Sequence, residues 1–252
     1  KRLESFLSQE LTSKLGAVKA GKIVRSIDDS TYSILKKMAN PRRSEFDYKG
    51  LVVGYVQSGK TANFTALIAK AVDAGYKLVI VLAGIHNVLR KQTQVRLNQE
   101  LTGIRDTENS ENYISQPGPA KKWNRLTTAY NDFNTSNLGL FSNYCTQEAP
   151  SLAVVKKNVS ILQRLIEYFG QAPADDRKKV PVLIIDDEAD QASVDGSSND
   201  HDSDPTRTNS LIRELLNLFN RKTYVGYTAT PFANALINMS INHDRYGEDL
   251  YP

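Results

Sequence analysis

The chain has 252 residues, of which 40% are hydrophobic and 24% charged, with a net charge of +4. That suffices for one sizeable α/β core with a smaller appendage but not for two such cores, and the composition is that of a soluble globular domain. No apolar run approaches the roughly 20 residues that cross a bilayer; the single cysteine, Cys145, excludes an internal disulfide and fits a reducing cytoplasm; and a pI near 9.0 permits a nucleic-acid partner without demanding one.

The chain opens on Lys1 and stops at Pro252 with no tail-like composition, so it reads as a segment of a longer protein. Residues 1–45 are expected to form a helical extension. Leu3, Phe6, Leu7, Leu11 and Leu15 recur at helical spacing. A second helix is expected from about Asp29, with Tyr32, Ile34, Leu35 and Met38 apolar, ending at Asn40-Pro41. Residues 41–48 then read as a polar, basic linker. From Gly50 the pattern changes to short apolar runs at 51–56, 78–83, 152–155, 182–186 and 224–227, each followed by a loop and a helix-like stretch. Nearly all-apolar strands separated by helices predict a parallel sheet covered on both faces, so residues 46–252 read as one α/β lobe. Two stretches differ. Residues 103–150 are polar, rich in Asn and Thr, and hold the only tryptophan, Trp123; they read as an insertion with poorly defined elements. Residues 195–209 read as an acidic loop.

Gly54-Tyr-Val-Gln57-Ser58-Gly59-Lys60-Thr61 matches G-x-x-x-x-G-K-[ST], with a strand predicted before it and a helix over 61–74 after it. Glycines let backbone N–H groups curl around phosphate oxygens, and the helix N-terminus adds partial positive charge there. Lys60 would reach the β- and γ-phosphates of ATP, and the Thr61 hydroxyl would ligate Mg²⁺. A chance match arises in roughly one chain in a hundred of this length, and the flanking elements lower that further.

Val182-Leu-Ile-Ile-Asp186-Asp187-Glu188-Ala189-Asp190 is an apolar strand ending in carboxylates, expected to lie beside the strand that feeds the phosphate loop. Alternation sends Asp186 and Asp187 to different faces. Reading the run as D-E-A-D makes Asp187 the Mg²⁺ ligand and Glu188 the base for the attacking water. Alone, a solvated acidic strand end would be the better reading; about 125 residues after a phosphate loop, catalysis is.

Tyr224-Val-Gly-Tyr-Thr228-Ala229-Thr230-Pro231 is a further apolar strand with hydroxyls at its end. It is similar to the Thr-Ala-Thr-Pro of superfamily 2 helicases, where this motif couples the nucleotide site to the nucleic-acid path. Thr228 and Thr230 are expected to hydrogen-bond the acidic strand end and so sense the γ-phosphate. After the strand at 78–83, Arg90, Lys91, Gln92, Thr93 and Arg96 offer phosphate donors for a DNA backbone, with Val88, Leu89, Val95 and Leu97 as the buried side; an exposed cationic helix face weighs equally. Lys156, Lys157 and Asn158 are candidates for a second backbone contact. Trp123 could stack on a base, but a partly buried core role is the commoner fate.

Other constellations fail. An EF-hand starting at Asp200 needs Gly and Glu where the chain has Pro205 and Leu211. His86, His201 and His243 lack zinc-ligand spacing. Cys145 shows no sign of being a nucleophile, and no P-D…(D/E)-x-K nuclease pattern is present.

The blocks GYVQSGKTANF, LAGIHNVLRKQTQVRL, LIIDDEADQAS and YVGYTATPFAN together resemble the bacterial "Z-one" domain family, whose label is a putative endonuclease, from about Gly50 to the C-terminus. The resemblance implies a superfamily 2 helicase-like P-loop ATPase of restriction and phage-defence gene clusters, with a RecA-like parallel sheet. It implies ATP and Mg²⁺ as cofactors, Lys60 and Thr61 on nucleotide and metal, Asp187 and Glu188 in hydrolysis, and Thr228 to Thr230 in coupling. The partners it implies are DNA, in duplex form, a second motor lobe of the same protein that supplies an arginine, and separate nuclease or other defence subunits. A nuclease centre would lie outside these residues. A nucleotide-sensing switch that gates a partner is the alternative from another class.

Overall fold

The structure is a computed structural model that describes residues 2–54, 59–107, 111–113, 122–191, 207–230 and 250. Two helices, α1 (Arg2–Leu15) and α2 (Ala17–Lys37), precede strand β1 (Phe46–Val53) and helix α3 (Lys60–Ala74). Strand β2 (Leu78–Ala83) leads into α4 (Asn87–Leu97) and a short π-helical turn, Asn98–Thr102. Next come a small antiparallel pair, β3 (Ile104–Asp106) and β4 (Glu111–Tyr113), then β5 (Asn124–Arg125) and the short helix α5 (Phe141–Cys145). The chain continues through β6 (Ser151–Val155), α6 (Val159–Gly170), α7 (Ala174–Lys179), β7 (Val182–Asp187), α8 (Arg207–Asn217) and β8 (Arg221–Thr228).

Six strands form one all-parallel sheet in the order β1-β8-β7-β2-β6-β5. It is an α/β sheet flanked by helices, as a RecA-like lobe requires. Burial on both faces explains why the strand sequences run apolar instead of alternating. Leu78, Ile80 and Leu82 of β2 and Val182 and Ile184 of β7 face α6 and α8. Val79, Val81, Leu183 and Ile185 face α3, whose Phe64, Leu67, Ile68, Ala71 and Val72 repeat at helical spacing. Side-chain parity therefore decides which residues at a strand's end can face α3. No helix among the described residues is long and apolar enough to cross a membrane.

Three expectations change. Helix α2 starts at Ala17, not near Asp29, because the only break after α1 is Gly16 at φ 80, a conformation that suits glycine. Ala20, Val24, Ile27 and Thr31 then follow at helical spacing. The extension docks on the outer side of α3: Leu3 and Leu7 pack on Ala66, Lys70 pairs with Asp28 at 2.8 Å, and the Asn63 amide donates to Ser30 Oγ.

Residues 122–150 belong to the lobe's core. Strand β5 joins the main sheet, and Phe133 and Phe141 are buried against Tyr168 and Phe169 of α6. Burial of each such aromatic contributes roughly 1.5–3 kcal/mol. The stretch looked like an insertion because polar residues separate these few anchors. Finally, β8 lies between β1 and β7, so the acidic strand is not the neighbour of the strand feeding the phosphate loop. Of the acidic 195–209 stretch, residues 207–209 begin α8 and the remainder lies outside the described residues.

Candidate functional site

Parallel strands gather their C-terminal ends at one edge of the sheet, where helix N-termini also converge. Strand β1 brings Gly54 there, its N–H donating to Thr228 O at 2.9 Å. Gln57 and Ser58 lie outside the described residues. Gly59 has φ 85 and ψ 21, the left-handed conformation, and caps α3 with no side-chain hydrogen bond. Its lack of a Cβ permits that turn, and the first amides of α3 have no partner within the helix, which leaves a site suited to an anion.

Lys60 Nζ lies 3.6 Å from Glu188 Oε1. The two side chains meet although the strands that lead to them, β1 and β7, are two strand spacings of about 5 Å each apart, with β8 between them. A cavity of about 270 Å³ opens beside the pair, walled by Thr61, by Asp187 and Glu188, and by Gln92, Thr93 and Arg96 of α4. Asp187 shares the α3 face with Ile185. Asp186, one residue earlier, points to the opposite face, where Tyr224 OH donates to its Oδ2 at 2.5 Å and Lys157 Nζ lies 2.9 Å from its Oδ1. The latter is an ion pair set off the hydrogen-bonding axis.

The two aspartates have different electrostatics. Burial pushes the Asp187 carboxyl up to about 6, the adjacent Glu188 adds to the rise, and Lys60 and Lys157 only partly counter it. Excess negative charge on this wall fits a divalent cation held by Thr61 and Asp187 with phosphate oxygens, since Mg²⁺ sites of this kind use one or two carboxylates and no all-protein cage. Among the described residues no cluster of three His, Cys, Asp or Glu could hold a metal unaided. Glu188 itself has φ 54, unusual for a residue with a Cβ. Its carbonyl accepts from Gln191 N at 2.8 Å and from Lys157 Nζ at 2.5 Å.

Thr228 and Thr230 do meet the acidic segment, but at its last carboxylate. Thr228 Oγ1 donates to Asp190 Oδ1 at 2.7 Å and Thr230 Oγ1 to Asp190 Oδ2 at 2.6 Å; no such bond reaches Asp187 or Glu188. Burial alone would raise the Asp190 carboxyl, but the hydroxyls of Thr230 and Thr228 outweigh it and hold it below the usual range. The turn after β7 carries its fourth acid back toward the end of β8, where Ala189 N donates to Tyr227 O, and this brings Asp190 to the threonines.

Helix α4 is turned the other way from the sequence expectation. Its inward positions are Arg90, Thr93, Gln94 and Leu97, while Val88, at 66% exposure, Leu89 and Val95 face out. The inward positions are polar because they meet backbone carbonyls and a polar side-chain network, not an apolar wall. Arg90 donates to the carbonyls of Thr128, Ala129 and Val154, with Asp132 3.8 Å away, and is no surface phosphate donor. Gln94 Oε1 accepts from Thr127 Oγ1 at 2.6 Å. Arg96 Nε donates to the buried Glu100 at 2.7 Å while its side chain lines the cavity. Only Lys91, whose amine sits 4.3 Å over the Tyr130 ring, and Gln92 are exposed.

Lys157 is likewise buried, and Asn158 caps α6 by accepting from Ser160 N. Trp123 is half-buried against the α3-side core. Cys145 is half-buried, and burial pushes its thiol up to about 11, against a nucleophilic role. Sequence reasoning missed the roles of Lys157 and Asp190. The signal available for both was a charged residue within three positions of the end of an apolar strand; burial and partner were not readable from it.

No protein-family model matches the chain, and no curated protein matches it.

Proposed function

We propose that this chain is the first lobe of an ATP-dependent motor of the superfamily 2 helicase type that acts on DNA, within a cytoplasmic restriction or phage-defence system of the "Z-one" kind. The observation that carries the nucleotide part is the convergence of Gly59, Lys60 and Thr61 at the start of α3 on Asp187 and Glu188, with Lys60 Nζ 3.6 Å from Glu188. ATP would supply the phosphoryl bond and Mg²⁺ would neutralise its oxygens. Lys60 and the amides of α3 would bind the phosphates, and Thr61 and Asp187 would hold the metal. Glu188, freed from Lys60 by the arriving phosphate, would orient the attacking water and accept its proton. Asp190, held by Thr228 and Thr230, would link that turn to the end of β8.

Supporting the DNA part are the helicase-like order of the motifs and the net charge of +4. A second reading, a nucleotide-sensing switch that gates a partner, is favoured by one observation. Of the five residues assigned to the DNA backbone, Arg90 is buried and Gln92, Thr93 and Arg96 line the cavity, leaving only Lys91 both exposed and clear of it.

Two measurements test these readings. Binding of a non-hydrolysable triphosphate with Mg²⁺, lost in Lys60→Ala, is the expected outcome for the nucleotide site. Hydrolysis by this chain alone should be slow, because the arginine that completes such sites comes from a second lobe and is worth about 10³–10⁵ in rate. With that lobe supplied, stimulation by duplex DNA marks a motor, and indifference to DNA marks the switch. Fast turnover by the chain alone, abolished by Lys60→Ala, would overturn the second-lobe requirement.

A further inference from the structure

We infer that Lys157 is a positioning residue for Glu188: it clamps the carbonyl of the proposed base from beneath and so fixes the turn that aims the carboxylate at Lys60 and the cavity. The inference rests on the hydrolytic reading of this site.

Lys157 follows β6 in the chain, two strands away from β7 in the sheet, with β2 between them. Its backbone N–H donates to Gly84 O at 2.7 Å, on the cavity wall at the end of β2. Its ammonium continues to β7, 2.9 Å from Asp186 Oδ1 and 2.5 Å from Glu188 O. Both side chains of the Lys157–Asp186 pair are fully buried. A buried ammonium is costly unless paired and hydrogen-bonded, so a lysine kept in such a place invites a reason beyond its counter-ion.

The backbone of Glu188 supplies that reason. At φ 54 a residue with a Cβ holds a sparsely populated conformation, which persists only where surrounding contacts over-determine it. Two donors converge on its carbonyl: Gln191 N, local to the turn, and Lys157 Nζ, from another strand end. The second does not depend on the turn's own geometry. Without it the peptide after Glu188 keeps its bonds to Gln191 N and Tyr227 O but loses the donor aimed at its carbonyl from β6, so its hold on the unusual φ weakens and the carboxylate can shift with it. A displacement of about 1 Å at such a group can cost on the order of a hundredfold in rate.

The competing account is that Lys157 serves only to neutralise Asp186, and a double variant separates the two. Lys157→Met leaves Asp186 buried without its partner, so the melting temperature should fall by roughly 10 °C. Lys157→Met with Asp186→Asn removes both charges and should recover most of that loss. If Lys157 positions Glu188, the recovered double variant still binds a non-hydrolysable triphosphate within about threefold of wild type. Its single-turnover hydrolysis nonetheless stays down by roughly a hundredfold. Backbone ¹³C shifts of residue 188 in the nucleotide-free protein should report positive φ in wild type and its loss in the double variant. A double variant with wild-type hydrolysis and unchanged shifts at residue 188 overturns the inference. Failure of the wild-type chain to bind triphosphate, or binding indifferent to Lys60→Ala, would instead overturn the nucleotide reading, and the shifts at residue 188 would still decide whether Lys157 holds that turn.

Discussion

Asp186 and Asp187 are adjacent in the chain and leave β7 on opposite faces. Toward α6 and α8, Asp186 is fully buried, ion-paired with Lys157 and hydrogen-bonded by Tyr224. Toward α3 and α4, Asp187 is crowded by Glu188 and has no comparably close cation, and its carboxyl rises to about 6. One face of the sheet is a finished interior, whereas the other keeps unbalanced negative charge at the wall of a cavity. Such an arrangement costs stability in the empty protein and is relieved by a bound cation, which is the usual character of a site built for a ligand.

The comparison breaks most readily at Asp186. Asp186→Ala should cost about 3–5 kcal/mol, because it strands the buried Lys157 ammonium; urea unfolding measures it, and a loss below about 1 kcal/mol would mean that the pair is no structural element. Next comes Lys60→Ala, which should weaken triphosphate binding by about a hundredfold or more while changing stability little, since its ion pair is with a carboxylate as far as 3.6 Å away. Equal weakening of a nucleotide lacking the terminal phosphates would place the lysine elsewhere in the site.

How much of this was legible follows from where the information sits. The phosphate loop, the acidic strand end and the apolar strands are local patterns, each a few residues long, and they pointed directly to the edge of the sheet where Lys60 and Glu188 meet. Strand order is not local: nothing within 182–190 says that β8, formed later in the chain, slips between β7 and β1. Helix α4 misled for a physical reason. Periodicity assumes that the buried side is apolar, but Arg90 and Gln94 face backbone carbonyls and polar side chains around 127–132 and 154, where hydrogen bonding outweighs hydrophobicity. The same error in reverse applied to Lys157, which as a lysine after a strand reads as solvent-facing and is in fact wholly enclosed.

Asp187→Asn should have the opposite sign from Asp186→Ala. Because the folded pKa of Asp187 is raised, the native state holds its proton more tightly than the unfolded chain does. Stability from this group is therefore fully present below the unfolded pKa of about 4 and lost as pH rises toward 6. Removing the carboxylate should then stabilise the nucleotide-free protein at pH 7 by about 1–3 kcal/mol and flatten its stability between pH 4 and 6. Thermal melts across that range, with and without Mg²⁺ and triphosphate, check it; a destabilised variant would show that Asp187 is already paired as Asp186 is.

The smallest effect belongs to the last acid of the segment, Asp190. Asp190 is titrated the other way: burial is outweighed by the Thr230 and Thr228 hydroxyls, its pKa falls, and its contribution is present above about pH 4 and lost as pH drops through the folded value. Thr230→Ala removes the 2.6 Å bond to Oδ2 and leaves the Thr228 bond in place. For a partly exposed carboxylate that should cost about 1 kcal/mol or less at pH 7, and less still once the pH has fallen below the folded pKa, where Asp190 is protonated in both states. If the bond also carries the state of Glu188 to β8, the variant should hydrolyse ATP normally in single turnover yet lose DNA stimulation once the second lobe is present. A variant that keeps full stimulation would reduce this pair to a strand-end cap and leave the coupling role of Thr230 without support.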